Sequence, residues 1–333
     1  MRVIARAPGR VNLIGDHTDY TGGLVLPMAV DRATMVEGEV VDEPYVTLRS
    51  DQDDDVAVVG LAVDQPRQVT PPWARYVAGV IHELRPQHGF RGEVTSTVPM
   101  GSGLSSSAAL ELAVALALGF EGEPLALAQL CQRAEHVATG VPCGIMDQLA
   151  SAAGVAGHAL LIDCHRLDVT PVPFPTGVDV LVVHSGQPRA LVDSAYAARV
   201  AECAAAERVI GPLRLASRGD LRRITDPVVE ARARHVVGEN ERVRHVADAL
   251  AAGDIAEVGR LMVASHESLR DLYEVSTPVL DALVQRLVAT PGVFGARLTG
   301  AGFGGCVVAL AEPNAVDDGW LVRPSAGAMA AHL

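Results

Sequence analysis

At Val98 the chain changes its hydrophobic period, and that change constrains the fold more than any total. Residues 92–98 form a β-branched run, 99–107 a Gly- and Ser-rich stretch, and 108–118 an Ala- and Leu-rich block of helical composition. Strand, loop and helix in that order require a mixed architecture. The same order sets exposed backbone N–H groups and the positive end of a helix beside whatever the loop encloses. This is an anion site that needs no lysine. Ser105, Ser106 and Ser107 are placed to cap and begin the helix, and their hydroxyls can take phosphate oxygens or Mg²⁺.

The absence of lysine matters, because all 27 basic residues are Arg. A P-loop NTPase and a protein kinase each need a lysine on the phosphates, and Schiff-base enzymes need one for covalent chemistry. All three are excluded. A net charge of −13 also argues against nucleic acid or a membrane surface as partner. With 333 residues, 49% of them hydrophobic, the chain can build one large domain or two. Aromatics are only 4%, so the core must come mainly from Ala, Val and Leu. The five cysteines (131, 143, 164, 203 and 306) are scattered, with no C-x-x-C pair. Neither a disulfide framework nor a structural zinc is expected, and a reducing cytoplasm is the natural setting. The first residues lack an apolar signal core, and the 108–118 block is too short to span a bilayer.

Strands are expected over 40–48, 56–63, 92–98, 178–184, 295–299 and 306–310. Helices are expected over 125–138, 191–210, 226–252, 255–268 and 278–289. Strand-like runs over 159–183 are broken by Pro171, Pro173 and Pro175, which mark a domain boundary and divide the chain into 1–175 and 176–333. Arginines at 218, 222, 223, 232, 234, 242 and 244, interleaved with acids, read as a solvated helix face.

Two further segments carry chemistry. Asp16-His17-Thr18-Asp19-Tyr20 follows an apolar strand directly and offers carboxylates, imidazole and hydroxyls, the mixed donors and acceptors that a sugar needs. Gly300, Gly302 and Gly305 satisfy G-x-G-x-x-G, but a strand rather than a helix follows, which excludes a dinucleotide fold.

Taken together, Gly9 to Tyr20, Pro99 to Ala109 and Leu298 to Cys306 resemble the three motifs of the GHMP small-molecule kinase family, in its galactokinase branch. The resemblance runs from residue 4 to about residue 327 and includes Ala134-Glu135-His136, 143–148 and the stretch around Tyr196. It implies a two-domain α/β (α+β) fold with nucleotide and sugar in the cleft between the halves. It implies ATP as co-substrate, Mg²⁺ as cofactor and galactose as acceptor. The same anomeric chemistry on L-arabinose, galacturonate or N-acetylgalactosamine, or a non-catalytic sugar sensor, are the alternatives. By the same resemblance Asp147 is the base, and Arg10 steadies the transition state. Asp16, His17, Thr18, Asp19 and Tyr196 hold the sugar. Gly101, Ser102, Gly103, Leu104, Ser105, Ser106 and Ser107 wrap the phosphates. Ser50 and Trp73 lie near the base, and Ser107 and Glu135 bind Mg²⁺. Asp16 stands where family members carry Glu. A cytoplasmic monomer is expected.

Overall fold

The computed structural model describes residues 1–99, 103–187 and 192–333, apart from the side chains of 192–194. Strands β1 (Arg2–Ile14) and β2 (Leu24–Val41) make a long antiparallel hairpin with register shifts between Pro8 and Arg10 and between Asn12 and Ile14. Outward from β2 lie β5 (Gly89–Ser96), β3 (Tyr45–Ser50) and β4 (Ala57–Gly60), with β3 and β5 parallel. The start of β2 also pairs with β6 (His158–Asp163), which pairs with β7 (Asp168–Pro173). On its other side β1 pairs with the last strand, β12 (Met329–His332). A second sheet is antiparallel throughout, in the order β11 (Trp320–Val322), β8 (Asp179–His184), β10 (Cys306–Ala311), β9 (Val293–Thr299).

Helices α1 (Ala74–Leu84), α2 (Ser106–Ala117), α3 (Pro124–Thr139) and α4 (Met146–Ala152) bury their apolar faces in one core with the first sheet. Helices α7 (Ile255–Asp271) and α8 (Pro278–Val288) pack on the second sheet, and α5 (Val192–Ile210) and α6 (Pro227–Ala252), which pack on each other, share a core with it while α6 also meets β1, β2 and β7. A middle core joins the halves: Val11, Leu13, Ile14 and Met28 of the hairpin pack with Val182 and Val308 of the second sheet and Val246 and Met262 of α6 and α7. The tip of β1 is thereby held between the sheets, where the polar segment begins. Ala, Val and Leu do dominate the buried residues.

Local chemistry explains the long helices. Asp226 caps α6 by accepting the N–H groups of Val228 and Val229, Pro227 sits at its first position, and Gly253 closes it at φ 75°. Thr277 and Pro278 start α8 in the same way. Ser105 departs from the expected cap. It occupies the position before α2 at φ 57° but makes no capping bond, because its hydroxyl is directed elsewhere. The expected strand 40–48 instead spans the end of β2, a turn at Asp42-Glu43-Pro44 and the start of β3, so apolar patterning ran across a turn. Pro171 and Pro173 lie inside β7, which pairs on one side only and so tolerates a missing N–H. No helix among the described residues is long and apolar enough to cross a membrane.

Candidate active site

Arg10, on β1, is almost fully buried. Its Nε donates to Asp147 Oδ1 at 2.7 Å and its Nη2 to Asp147 Oδ2, a two-point grip, while Nη1 donates to the Gly103 carbonyl at 2.6 Å. The Arg10 backbone N–H also bonds the Leu104 carbonyl at 3.0 Å. Such a close approach needs Gly9, since a Cβ there would lie 2.6 Å from the Leu104 oxygen. Asp147 stands in the first turn of α4, where a carboxylate is favoured. The Ser105 hydroxyl donates to its Oδ2. Strand, loop and short helix therefore converge on one carboxylate.

Next to it, on α3, Glu135 accepts from Ser107 Oγ at 3.0 Å and, through its other oxygen, from Gln148 Nε2 at 2.5 Å. Gln148 also reaches Glu111 on α2. Burial pushes the Glu111 and Glu135 carboxyls up, and neighbouring carboxylates add to it: Glu135 acts on Glu111, and Asp147 on both. Glu111 and Gln148 were not anticipated, since an acid in an Ala-rich helix reads as an ordinary exposed residue.

A cavity of about 170 Å³ opens beside Arg10 and Asp147. Asp16, His17, Asp19 and Tyr196 line it, together with Val141, Cys143, Gly144, Met146, Gly300 and Ala301, which were not singled out as site residues. Asp19 lies over Gly144, where a Cβ would meet its Oδ2 at 1.9 Å. Burial, and then the charge of Asp147, push the Asp19 carboxyl up to about 7.

His17 sits at φ 66°, with both ring nitrogens engaged. The Ala301 carbonyl can only accept, so Nε2 donates to it at 3.2 Å, and Nδ1 accepts from the Tyr20 hydroxyl at 3.0 Å. Burial pulls the imidazole down to about 3, so the ring is neutral. Tyr20 is bonded in turn to Tyr273, and Tyr273 to Cys203 on α5, the helix that carries Tyr196. The Tyr196 ring lies tilted against His17 and edge-on to Tyr20. Thr18 is not part of the cavity wall, because its hydroxyl bonds the carbonyls of Gly15 and Leu24 and staples the turn.

A second cavity, of about 220 Å³, brings Ser50 and Trp73 together with Ser106 and Ser107. Thr34, Gln52, Asp53, Tyr76, Val94, Ser96 and Leu110 complete its wall and went unnoticed in the sequence, where they lie on separate strands, loops and helices. Gly101 and Ser102 lie outside the described residues. The third Gly-rich segment is a tight turn between β9 and β10. Gly300, Gly302, Gly304 and Gly305 all have positive φ, which is why four glycines fall in six residues.

Two sheets fastened by one core, with a serine-led helix start dividing a small polar cavity from a second cavity, define a GHMP small-molecule kinase. GHMP kinase N-terminal and C-terminal domain models match residues 75–155 and 246–320. The chain belongs to the galactokinase family of ATP-dependent sugar kinases. A galactokinase galactose-binding signature matches residues 1–39. Galactokinase from Chloroflexus aggregans is 46% identical, over 95% of this chain and 85% of that one. The human galactokinase is 44% identical, over 93% and 83%. The crystal structure of Lactococcus lactis galactokinase complexed with galactose superposes with a TM-score of 0.92, at 32% identity, over 98% of this chain and 95% of that one. Mevalonate kinase from Methanococcus jannaschii shares the fold at 22% identity and a TM-score of 0.71.

Proposed function

We propose that the protein transfers the γ-phosphoryl group of ATP to the O1 hydroxyl of galactose, giving galactose 1-phosphate and ADP. The observation that carries this reading is the two-point Arg10–Asp147 pair on the wall of a cavity of monosaccharide size. Arg10 grips both oxygens of Asp147 and so orients it toward a sugar hydroxyl, whose proton Asp147 accepts. Phosphoryl transfer needs alignment and charge neutralisation more than covalent chemistry. In a chain without lysine, Arg10 and the amides of the 101–107 loop supply the positive field.

In this reading Asp16, His17, Asp19 and Tyr196 surround the sugar, and the ring of His17 positions rather than binds, since both its nitrogens are taken. In the same reading Ser50 and Trp73 face the base of the nucleotide, and Ser106 and Ser107, on the same cavity wall, its phosphates. Ser107 and Glu135 are the pair that would hold Mg²⁺. They fit it: a hydroxyl and a carboxylate oxygen 3.0 Å apart are hard donors, and crowded buried carboxyls favour a cation. Two protein ligands suit Mg²⁺, which takes its other partners from phosphates and water. No group of three His, Cys, Asp or Glu side chains that could hold a metal occurs among the described residues. When bound, the ion would neutralise phosphate charge. We also read the chain as halves 1–175 and 176–333, with β12 returning to the first sheet, and as a cytoplasmic monomer.

Similarity to proteins named galactokinase favours galactose over L-arabinose, galacturonate and N-acetylgalactosamine. The test is an ADP-release assay across these four sugars with ³¹P NMR of the product. Galactose should give the highest kcat/KM and a phosphate on the anomeric oxygen. A better acceptor among the other three, or a phosphate elsewhere, overturns the reading.

A further inference from the structure

The arginine stretch, read from the sequence as a solvated face, folds around a cavity of about 470 Å³ beside α6. Arg218, Arg222, Arg234 and Arg242 line it, against a single acid, Glu230. Arg218 pairs outward with Glu241, and Arg234 with Glu230 along the helix. Arg222 is exposed and has no partner among the described residues. Arg242 forms the floor: its Nε bonds Glu239 at 2.7 Å, while its Nη2 is buried and unpartnered. Its guanidinium lies over Gly238, in mid-helix, where a Cβ would come within 3.3 Å of Nη1. Gly238 thus leaves this guanidinium room against the helix. Leu221, Ile224 and Leu272 supply an apolar wall.

Two polar relays run from this floor to the sugar segment. Glu239, fully buried under Arg242, accepts the Gly15 N–H at 3.1 Å and the Ser265 hydroxyl. Ser268, also on the cavity wall, bonds His235 Nδ1 at 2.8 Å, and His235 Nε2 bonds the Asp16 carbonyl at 3.3 Å. Both relays end on consecutive residues at the entrance to the sugar-lining segment.

We propose that this arginine cavity is a second ligand site, for a phosphate monoester on a small polar body, and that its occupation weakens sugar binding. Unpaired Arg donors and one apolar wall suit an ester rather than a bare ion. An anion that recruits Arg242 and the Ser268 hydroxyl draws them from Glu239 and His235, loosening the bonds to Gly15 and Asp16. The binding claim stands alone, and the kinetic claim rests on the proposed sugar-kinase reading.

The test uses the full chain at fixed ionic strength, with ribose 5-phosphate, inorganic phosphate and ribose as probes. Calorimetry should show one saturable site for ribose 5-phosphate, weaker binding of phosphate and none of ribose. In turnover on galactose, ribose 5-phosphate should raise KM by about fivefold with kcat nearly unchanged. The double variant Arg222→Ala/Arg234→Ala should keep the basal kcat and KM but lose both binding and the KM effect. Ser268→Ala should bind the ester with a smaller KM effect. Absence of saturable binding, phosphate binding as tightly as the ester, or binding that survives in the double variant overturns the site. Binding without a KM change overturns the coupling. Absence of turnover on galactose without any ester would count against the enzymatic reading and leave the calorimetric result to stand.

Discussion

Arg297 and Asp16 form an ion pair sealed from solvent, with side chains 0% and 2% exposed. Arg297 opens the third Gly-rich segment on β9, and Asp16 opens the polar segment after β1. Arg297 Nη2 donates to Asp16 Oδ2, its Nη1 to the Leu13 carbonyl at 3.1 Å, and the Gly300 N–H to Asp16 Oδ1 at 2.9 Å. Both carboxylate oxygens are therefore held by the other end of the chain. Removing one partner of such a pair leaves an uncompensated buried charge, at a cost of about 3–5 kcal/mol. Arg297→Met and Asp16→Asn should each lower stability by that order in urea unfolding. The double variant should lose less than the sum of the two, because the stranded charge is gone. Additive losses would mean that the two side chains do not depend on each other.

Asp147→Asn keeps the shape of the side chain but loses one of the two acceptors that Arg10 uses, so it should fold with reduced stability, by less than Asp16→Asn because Asp147 is partly exposed. Turnover should fall by about 10²–10⁴-fold, the range of a general base, while sugar and nucleotide binding survive. Calorimetric titrations beside steady-state rates separate the two quantities. Turnover near the wild-type value would remove Asp147 from the chemistry.

The sequence disclosed the three chemical segments because each joins a run of apolar residues to an abrupt cluster of Gly, Ser or ionisable residues. It also disclosed most long elements, whose apolar spacing is unbroken. Helix α1 was not expected, although Ala74, Val77, Ala78 and Ile81 recur at helical spacing. The sequence did not disclose α4, a seven-residue helix whose buried face is decided by neighbours far along the chain. Glu111, Gln148 and Arg297 stayed hidden for the same reason, since a polar residue's burial and partner are properties of tertiary packing. Ser105 shows the limit most plainly. As a serine before a helix it reads as a cap, but its hydroxyl serves Asp147, 42 residues on. The solvated reading of the arginine stretch holds for Arg218, Arg222, Arg223, Arg234 and Arg244, which are exposed, and fails for Arg232, which is buried and bonds Glu202 and Glu274, and in part for Arg242, because periodicity cannot reveal what folds against α6.

Asp19 gives the protein a pH signature. Its carboxyl is raised to about 7 by burial and then by Asp147, whereas in the unfolded chain it titrates at about 3.9. Between those values the folded state holds the proton more firmly, so stability from this group falls as pH rises from about 4 to about 7 and levels off above. Asp19→Asn cannot titrate. Its melting temperature relative to wild type should therefore climb by a few degrees across that window and stay flat beyond it. Melting curves of both proteins at half-unit intervals of pH supply the check, and a constant difference would assign Asp19 an ordinary carboxylate.

Sugar choice turns on Asp16 in a way that the anchored carboxylate now defines. The residue lines the sugar cavity, yet Arg297 and Gly300 fix both its oxygens, so its reach toward the sugar is set by one methylene. In Asp16→Glu the added methylene cannot go toward Arg297, which is packed without solvent, and must carry the carboxylate toward the cavity. A sugar that bears a C6 hydroxyl then gains a closer acceptor, and L-arabinose, which lacks C6, gains nothing. A hydrogen bond of this kind contributes about 0.5–1.5 kcal/mol, so the ratio of kcat/KM for galactose over L-arabinose should rise about two- to tenfold. Galacturonate should stay poor in both proteins, since Asp16 and Asp19 oppose a second anion there. The measurement is kcat/KM for galactose, L-arabinose, 6-deoxygalactose and galacturonate with wild type and Asp16→Glu side by side, with 6-deoxygalactose separating the hydroxyl from the carbon. An unchanged galactose to L-arabinose ratio would take Asp16 out of sugar choice and leave it only the anchoring of Arg297.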